Sequence, residues 1–295
     1  MRDSIINLII AFKKTDDSIM VLDADCSHST RSILFKTQYA DSFINLGIAE
    51  QNMIGIAVGL SLMGNRVIVN GFANILCLRS LDFIQQLIAK QKLPVIILGH
   101  YAGLSASQEG ASHHSINSIS IIKSIPNIHI YNPYGNINAT KCFEAAYKNI
   151  HPTYINIAKA NYNEPLLYTQ NLNTYECGYD RHRLVICTGI ILEQVIQARK
   201  LTETESISFD ILALSDLNNF QILREANKYD IIWLVEDAYK YGGIYSDICM
   251  FFMENNINKK VHHICLDTFT RSGTLNDLYE FYNISAEKIA NVIVN

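Results

Sequence analysis

Several features that mark common protein classes are missing from this sequence. No window approaches eighteen uninterrupted apolar residues, so a membrane-spanning helix is not expected. Lys and Arg do not cluster, and the formal net charge is −4, which argues against a nucleic-acid-binding surface. A short apolar run near the N-terminus follows Asp3 and differs from a signal peptide. We therefore expect a soluble, cytoplasmic protein.

Chemical motifs of fixed spacing are also scarce. The seven cysteines are scattered and include no Cys-x-x-Cys pair, which predicts reduced and mostly buried thiols. His, Cys and carboxylate residues show no structural-zinc spacing, and we predict no metal site on this chain. The sequence contains no Gly-x-x-x-x-Gly-Lys-Ser/Thr loop, Gly-x-Gly-x-x-Gly turn or Gly-x-Ser-x-Gly nucleophile elbow. The chain therefore lacks a nucleotide-binding loop of its own.

The sequence does contain short apolar runs that alternate with helical patterns. Its 295 residues, 49% of them hydrophobic, favour two domains with large cores. Alternating strands and helices predict parallel sheets with helices on both faces. The predicted fold class is α/β, with doubly wound domains at residues 1–162 and 183–295. A polar, turn-rich stretch at 163–182 is predicted to be the linker.

The predicted elements follow from these patterns. In the first domain the strands are 18–22, 66–69, 94–98, 128–131 and 153–157, and the helices are 4–14, 49–63, 79–91, 115–123 and 137–149. In the second domain the strands are 183–187, 207–212, 231–235 and 261–265, and the helices are 193–200, 220–226 and 242–254. A last helix is predicted to begin after Ser285, which would be its N-cap.

One carboxylate is unusually placed, because Glu50 heads a helix that is apolar almost all round. Charged residues are almost never fully buried without a partner or a function. A structural explanation is that Glu50 stabilises the helix N-terminus, where the macrodipole favours an anion. The functional explanation is that it belongs to a site, and Glu50 alone does not decide between the two.

Polar and aromatic residues follow several predicted strands. They occupy the loops at 23–29, 70–74, 99–103 with 108–114, and 158–159. In an open parallel sheet, ligands bind beyond the carboxyl ends of the strands. Taken singly, Asp25 could cap a helix, Phe72 could be a core residue and a loop histidine could be solvated. Together these loops predict a polar pocket at one sheet edge.

An ordered series of motifs resembles the transketolase family. The series is Gly47-Ile48-Ala49-Glu50-Gln51-Asn52-Met53, Phe72, Ala102-Gly103-Leu104-Ser105, Glu109-Gly110-Ala111-Ser112-His113, Ser124-Ile125-Pro126-Asn127 and Tyr131-Asn132-Pro133. The match covers most of residues 17–160 and is looser in the second domain. It implies a thiamine-diphosphate-binding pyrimidine domain followed by a transketolase C-terminal-like domain.

The resemblance also implies roles for particular residues. Catalytic roles fall to Glu50 and His113, with Glu50 bonded to the aminopyrimidine ring of the cofactor. The implied cofactor contacts are Glu50, Phe72, Ile75, Leu78 and Asp25, and the implied substrate contacts are Ser29, Tyr101, Glu109, His113 and Lys159. Ile75 and Leu78 stand where family members can carry aromatic residues. Lys159 stands where an arginine often binds a sugar phosphate, and lysine cannot form the same bidentate fork.

The family's diphosphate-binding motif, Gly-Asp-Gly with a downstream Asn, is absent from this sequence. We therefore expect the C-terminal section of a split transketolase, which moves a two-carbon ketol unit from a ketose or ketose phosphate to an aldehyde through thiamine diphosphate. The N-terminal section, on a separate chain, would hold Mg²⁺ or Ca²⁺, and activity would require it. A heterotetramer containing a homodimer contact is expected from the resemblance.

Two other interpretations remain open. A β-type subunit of a 2-oxoacid dehydrogenase, or a relative of deoxyxylulose phosphate synthase, would share the same domain pair. A different class of protein would be a non-catalytic scaffold or regulatory subunit, although the presence of both Glu50 and His113 argues against it.

Overall fold

The computed structural model describes residues 1–179, 182–204 and 206–294, which form two α/β domains. The strands are β1 Ile19–Asp23, β2 Phe43–Asn45, β3 Arg66–Phe72, β4 Ile96–His100, β5 His129–Tyr131, β6 Thr153–Ile157, β7 Thr174–Glu176, β8 Arg183–Thr188, β9 Asp210–Leu214, β10 Ile231–Tyr239 and β11 Val261–Leu266. The helices are α1 Arg2–Lys13, α2 Ser27–Thr30, α3 Ile33–Lys36, α4 Glu50–Leu62, α5 Ala73–Arg79, α6 Leu81–Phe83, α7 Ser118–Lys123, α8 Asn136–Lys148, α9 Leu192–Glu203, α10 Tyr245–Glu254, α11 Leu275–Phe281 and α12 Ala286–Val294. The predicted α/β fold class is confirmed.

The first sheet has the strand order β2-β1-β3-β4-β6-β5, and every pairing in it is parallel. Its strands are apolar almost throughout because both faces are covered. Val67 and Val69 of β3 pack into a core that includes α4, whereas Ile68 between them packs into the core formed with α1 and α8. Two-sided burial accounts for continuous apolar runs rather than alternation.

The second sheet has the order β11-β10-β8-β9-β7, and all pairings are parallel except that of β7 with β9. β7 lies within the stretch 163–182 that was predicted to be a linker. That prediction is wrong for residues 174–176, because they form an edge strand of the second sheet. Residues 180 and 181 of the predicted linker lie outside the described residues.

Several short elements differ from the sequence prediction. β2, α5 and α11 were not predicted. The predicted helix at 79–91 is divided between α6 and a π-helix at Ile84–Ala89, and the one at 220–226 is a 3₁₀ helix at Gln221–Lys228. The Ser285 N-cap is confirmed, since Lys288 N donates to Ser285 Oγ at 3.4 Å.

The two domains are joined by hydrogen bonds between main chains. Asn132 N donates to Ser215 O at 2.8 Å, and Tyr239 N donates to Ile116 O at 2.8 Å. All seven cysteines are free, and Cys177 is exposed. Among the described residues, no helix combines the length and apolar character needed to cross a membrane.

Candidate active site

Glu50 is the first residue of α4, and its carboxylate is paired. The residue is only 7% exposed. Arg79 Nη1 donates to Glu50 Oε1 at 3.1 Å and to Oε2 at 3.3 Å. Gln51 Nε2 donates to Arg79 O at 2.9 Å, which fixes the end of α5 against the start of α4. A guanidinium therefore contacts the carboxylate at the head of this apolar helix.

A group of rings lies at the carboxyl edge of the first sheet, where β3 and β4 end. The Phe72 ring is 4.9 Å from the Tyr101 ring, centroid to centroid, and 4.9 Å from the His113 ring, which meets it edge-on at 77°. His113 Nδ1 is hydrogen-bonded to Ser112 Oγ at 3.0 Å. Three of the predicted site residues are thus in direct contact.

Ile75 and Leu78 lie along α5, which begins directly after Phe72 and ends at Arg79. Steps of three residues place Phe72, Ile75 and Leu78 along one side of the helix. Leu78 is half exposed and lines a cleft of about 430 Å³ together with Asn74, Ala111, His114, Tyr239 and Phe269. α5 therefore connects the aromatic group to the Glu50–Arg79 pair.

Two predicted substrate residues form an ion pair. Lys159 Nζ is 2.8 Å from Glu109 Oε1 and lies 5.0 Å from the centroid of the Tyr101 ring. Partial burial raises the pKa of the Glu109 carboxyl, but the hydrogen bond and charge of Lys159 outweigh it, so the pKa lies below its ordinary value. Both side chains line a cleft of about 470 Å³ with Ser107, Gln108, Thr274 and Leu275.

Arg2 reaches the same edge from the start of α1, and it is not among the site residues predicted from the sequence. Its guanidinium donates to Ser29 O at 2.5 Å and to Lys159 O at 3.3 Å. It also lies 5.6 Å from the centroid of the Tyr101 ring. The predicted site residue Ser29 therefore takes part through its backbone carbonyl, which accepts the hydrogen bond from Arg2. No local motif marks Arg2, because the packing of α1 against α3 and α8 brings it here.

Asp25 lies apart from the ring group and is bonded to Asn45. Asn45 Nδ2 donates to Asp25 Oδ1 at 3.0 Å, and Asp25 N donates to Asn45 Oδ1 at 3.0 Å. Gly47 N also donates to Asn45 Oδ1, at 3.1 Å. Asp25 therefore ties the loop after β1 to the segment that leads into Glu50.

His100, the last residue of β4, is buried beneath the surface of the site. His100 Nε2 is 3.0 Å from Asn70 Oδ1, and the residue is fully buried. Burial, with a smaller contribution from the charge of Arg2, lowers the pKa of His100 to about 3. His100 is therefore neutral, and the next residue, Tyr101, has a positive φ of 70°.

These residues fit the pyrimidine end of thiamine diphosphate and not its diphosphate end. An aromatic face and aliphatic side chains suit a flat heteroaromatic ring, and a buried carboxylate suits a hydrogen bond to a nitrogen of that ring. Of the cations at the site, Arg79 pairs with Glu50, Lys159 pairs with Glu109, and Arg2 donates to the carbonyls of Ser29 and Lys159. Within residues 1–179, 182–204 and 206–294, no three His, Cys, Asp or Glu side chains are grouped as metal ligands.

Family models match both domains. Residues 1–165 match the transketolase pyrimidine binding domain, and residues 180–289 match the transketolase C-terminal domain. The chain therefore belongs to the transketolase family, and this membership implies the use of thiamine diphosphate.

Three relatives illustrate the similarity. A protein described as a transketolase C-terminal section from Methanocaldococcus jannaschii is 29% identical, over 100% of this chain and 95% of the relative. The 6-deoxy-6-sulfo-D-fructose transketolase subunit SqwH from Clostridium sp. is 25% identical, over 98% of this chain and 92% of the relative. A solved structure described as a split gene transketolase, inactive beta4 tetramer, has a TM-score of 0.85 at 23% identity, covering 99% of this chain and 96% of that chain. The last shows a shared fold.

Proposed function

We propose that this chain is the pyrimidine-binding section of a split transketolase-like enzyme that transfers a two-carbon ketol unit from a ketose to an aldehyde. The proposal is based on a site that has residues for one end of the cofactor only. Glu50, Phe72, His113 and the Lys159–Glu109 cleft lie at one sheet edge, and no metal-ligand cluster for a diphosphate accompanies them among the described residues. The relative from Methanocaldococcus jannaschii, which has nearly the same length, is described as a C-terminal section.

Each residue has a definite task in this proposal. Thiamine diphosphate, when bound, would supply a nucleophilic carbon for the ketose carbonyl. Glu50 holds a nitrogen of the aminopyrimidine ring and governs its proton, while Arg79 fixes the orientation of the carboxylate. Phe72 contacts the ring face, and His113, at the edge of Phe72, is placed to exchange a proton with the substrate. Lys159 and Arg2 attract an anionic substrate.

A separate N-terminal section would complete the site by binding the diphosphate through Mg²⁺ or Ca²⁺. The C-terminal end of α4 supports such an assembly because apolar residues are exposed there. Leu62 and Met63 are exposed, and a Cβ added at Gly55 or Gly59 would meet no atom within 4 Å. Exposed apolar surface of this kind is typical of interfaces. The solved split-gene relative is described as inactive in its beta4 form, which agrees with a dependence on the other section.

The test is reconstitution. This chain alone should give no ketol transfer, and mixing it with its N-terminal section, thiamine diphosphate and Mg²⁺ should give cofactor-dependent transfer. Glu50→Gln should lower turnover of the complex by at least about 100-fold, because the group that governs a proton is lost. Glu287→Gln, an exposed change in the first turn of α12, is the matched control.

Two outcomes would contradict the proposal. Full turnover by the isolated chain would show that no partner is needed. Unchanged turnover of the Glu50→Gln complex would favour a scaffold role. Assays with pyruvate and branched 2-oxoacids beside the ketoses separate the transketolase reaction from that of a 2-oxoacid dehydrogenase or a deoxyxylulose phosphate synthase.

A further inference from the structure

His114 follows the candidate catalytic histidine directly, and its side chain is turned into the protein. The residue is 2% exposed. Its Nε2 is 3.0 Å from Ser107 O, and its Nδ1 is 2.7 Å from Thr270 Oγ1. A main-chain carbonyl can only accept, so Nε2 carries a proton. Burial lowers the pKa of the His114 ring, so the ring is neutral and Nδ1 accepts from the threonine hydroxyl.

Thr270 belongs to the second domain and lies in the loop between β11 and α11. Arg271 N donates to the Tyr282 hydroxyl at 3.0 Å, and that hydroxyl donates to Phe269 O at 3.3 Å. Both neighbours of Thr270 are therefore tied to the tyrosine that follows α11. The Thr270 side chain is also buried. The hydroxyl that meets His114 is thus carried by a loop with fixed ends.

The loop that carries His113 lies directly against this part of the second domain. A Cβ added at Gly110, which has a φ of 74°, would lie 2.5 Å from Ser272 Oγ. The main chain turns back at the same glycine, since the N–H groups of His113 and His114 both donate to Gly110 O, at 3.0 and 2.9 Å. The main chain at His113 is therefore placed against the second domain.

The side chain of His113 is less enclosed than that of His114. It is half-buried, and it contacts Ser112 Oγ and the Phe72 ring. Because a planar peptide bond joins the two histidines, a shift of His114 moves the main chain that carries the His113 ring. A displacement of about 1 Å at a catalytic group can lower the rate by on the order of 100-fold.

We propose that His114 is a positioning residue for His113, and that the Thr270 hydroxyl holds His114 in place, so that the second domain helps to set the catalytic geometry. This inference rests on the proposed ketol transfer. Neither His114 nor Thr270 is assigned a contact with substrate or cofactor. The C-terminal domain thereby has a defined part in the reaction.

The first test removes the hydroxyl and keeps the size of the side chain. In the reconstituted complex, Thr270→Val should lower kcat by about tenfold and change the KM for thiamine diphosphate by less than about twofold. Thr270→Ser should recover most of the loss, because the hydroxyl returns. Thr202→Val is the matched control, since Thr202 is a buried threonine of α9 whose hydroxyl bonds Arg199 O. It should leave kcat unchanged.

A second background separates positioning from stability. In His113→Ala, adding Thr270→Val should lower kcat by less than about twofold further, because no ring remains to be positioned. Urea unfolding of each variant measures stability in parallel. An unchanged kcat in Thr270→Val, a loss that serine does not recover, an equal loss in Thr202→Val, or losses that multiply in the double variant would each overturn the inference.

If the unmodified complex shows no cofactor-dependent transfer, the proposed function fails, and imidazole spectra then decide this inference separately. Nitrogen-15 NMR of the full chain at pH 7 should show His114 as the neutral tautomer protonated at Nε2. Thr270→Val should shift the ring signals of both His114 and His113. His113 signals that do not move in Thr270→Val would mean that the threonine does not position this histidine.

Discussion

At the scale of single residues, the central feature is the pairing of Glu50 with Arg79. The carboxylate is buried at the head of α4, while the Arg79 side chain is 52% exposed. Water screens such a pair, so its contribution to folding stability is small, under about 1 kcal/mol. Its geometric effect is larger, because Arg79 Nη1 contacts both carboxylate oxygens and limits the rotation of the carboxyl group.

Arg79→Met should therefore affect turnover of the reconstituted complex more than stability of the chain. We expect kcat to fall by about tenfold or more, as misplacement of a group that acts on a proton does. Arg79→Lys should recover part of the loss because one cation is restored. The measurements are kcat, the KM for thiamine diphosphate and urea unfolding.

The control for Arg79 is Arg224→Met, which removes an exposed arginine that bonds Asn255 in the second domain. A purely structural role for Arg79 would appear as parallel losses of stability and kcat in Arg79→Met, with no recovery by lysine. That pattern would show that Arg79 does not orient Glu50 for catalysis.

At the scale of elements, the sequence predicts the long buried strands and α4 well, and it fails where tertiary packing decides. β3, β4 and β6 read as apolar runs because both of their faces are covered. β2 and β7 are not predicted; each has three residues and includes polar side chains. α5 is not predicted, and only its first two residues fall in the polar loop expected at 70–74. Arg79 and Arg2 reach their partners only through helix packing, so no spacing along the chain reveals them.

Two glycines in neighbouring elements should respond to alanine in opposite ways. Gly59 lies in α4 with open space around it, so Gly59→Ala should stabilise the isolated chain by about 0.5–1 kcal/mol through helix propensity. Gly99 lies in β4, where a Cβ would be 2.3 Å from the hydroxyl oxygen of the buried Tyr154. Gly99→Ala should destabilise the chain by about 1–3 kcal/mol through overpacking.

Urea unfolding of both alanine variants, followed by circular dichroism, measures these changes in the free energy of unfolding. The two substitutions are chemically identical, so each serves as the control for the other. A stabilised Gly99→Ala would show that β4 does not pack against Tyr154 as described.

At the scale of the whole molecule, the two domains meet around a buried carboxylate. Asp237 of β10 accepts a hydrogen bond from Leu104 N of the first domain at 3.3 Å. A Cβ added at Gly103, which has a φ of 55°, would lie 1.9 Å from Asp237 Oδ2, so only glycine fits there. Burial raises the pKa of Asp237 to about 6, and the hydrogen bond from Leu104 opposes the increase. The interface thus contains a group that resists ionisation.

This carboxylate should make the stability of the chain depend on pH. In the folded chain Asp237 holds its proton up to about pH 6, whereas in the unfolded chain it loses the proton near its ordinary value of 3.8. Its stabilising contribution is therefore complete at acidic pH and is lost as the pH rises through about 6. Asp237→Asn removes this titration, so its stability relative to the unmodified chain should rise by about 2 kcal/mol between pH 4 and pH 7.

His100 has the opposite effect on the pH dependence of stability. Burial lowers the pKa of His100 to about 3, so the unfolded chain binds this proton more readily, and the folded chain loses stability as the pH falls. The test therefore compares variants rather than the unmodified chain alone. Urea unfolding of Asp237→Asn at several pH values isolates Asp237, and Asp82→Asn, an exposed change on α6, is the control. A constant difference in unfolding free energy between Asp237→Asn and the unmodified chain across this pH range would mean that the domain interface does not bury a protonated carboxyl group.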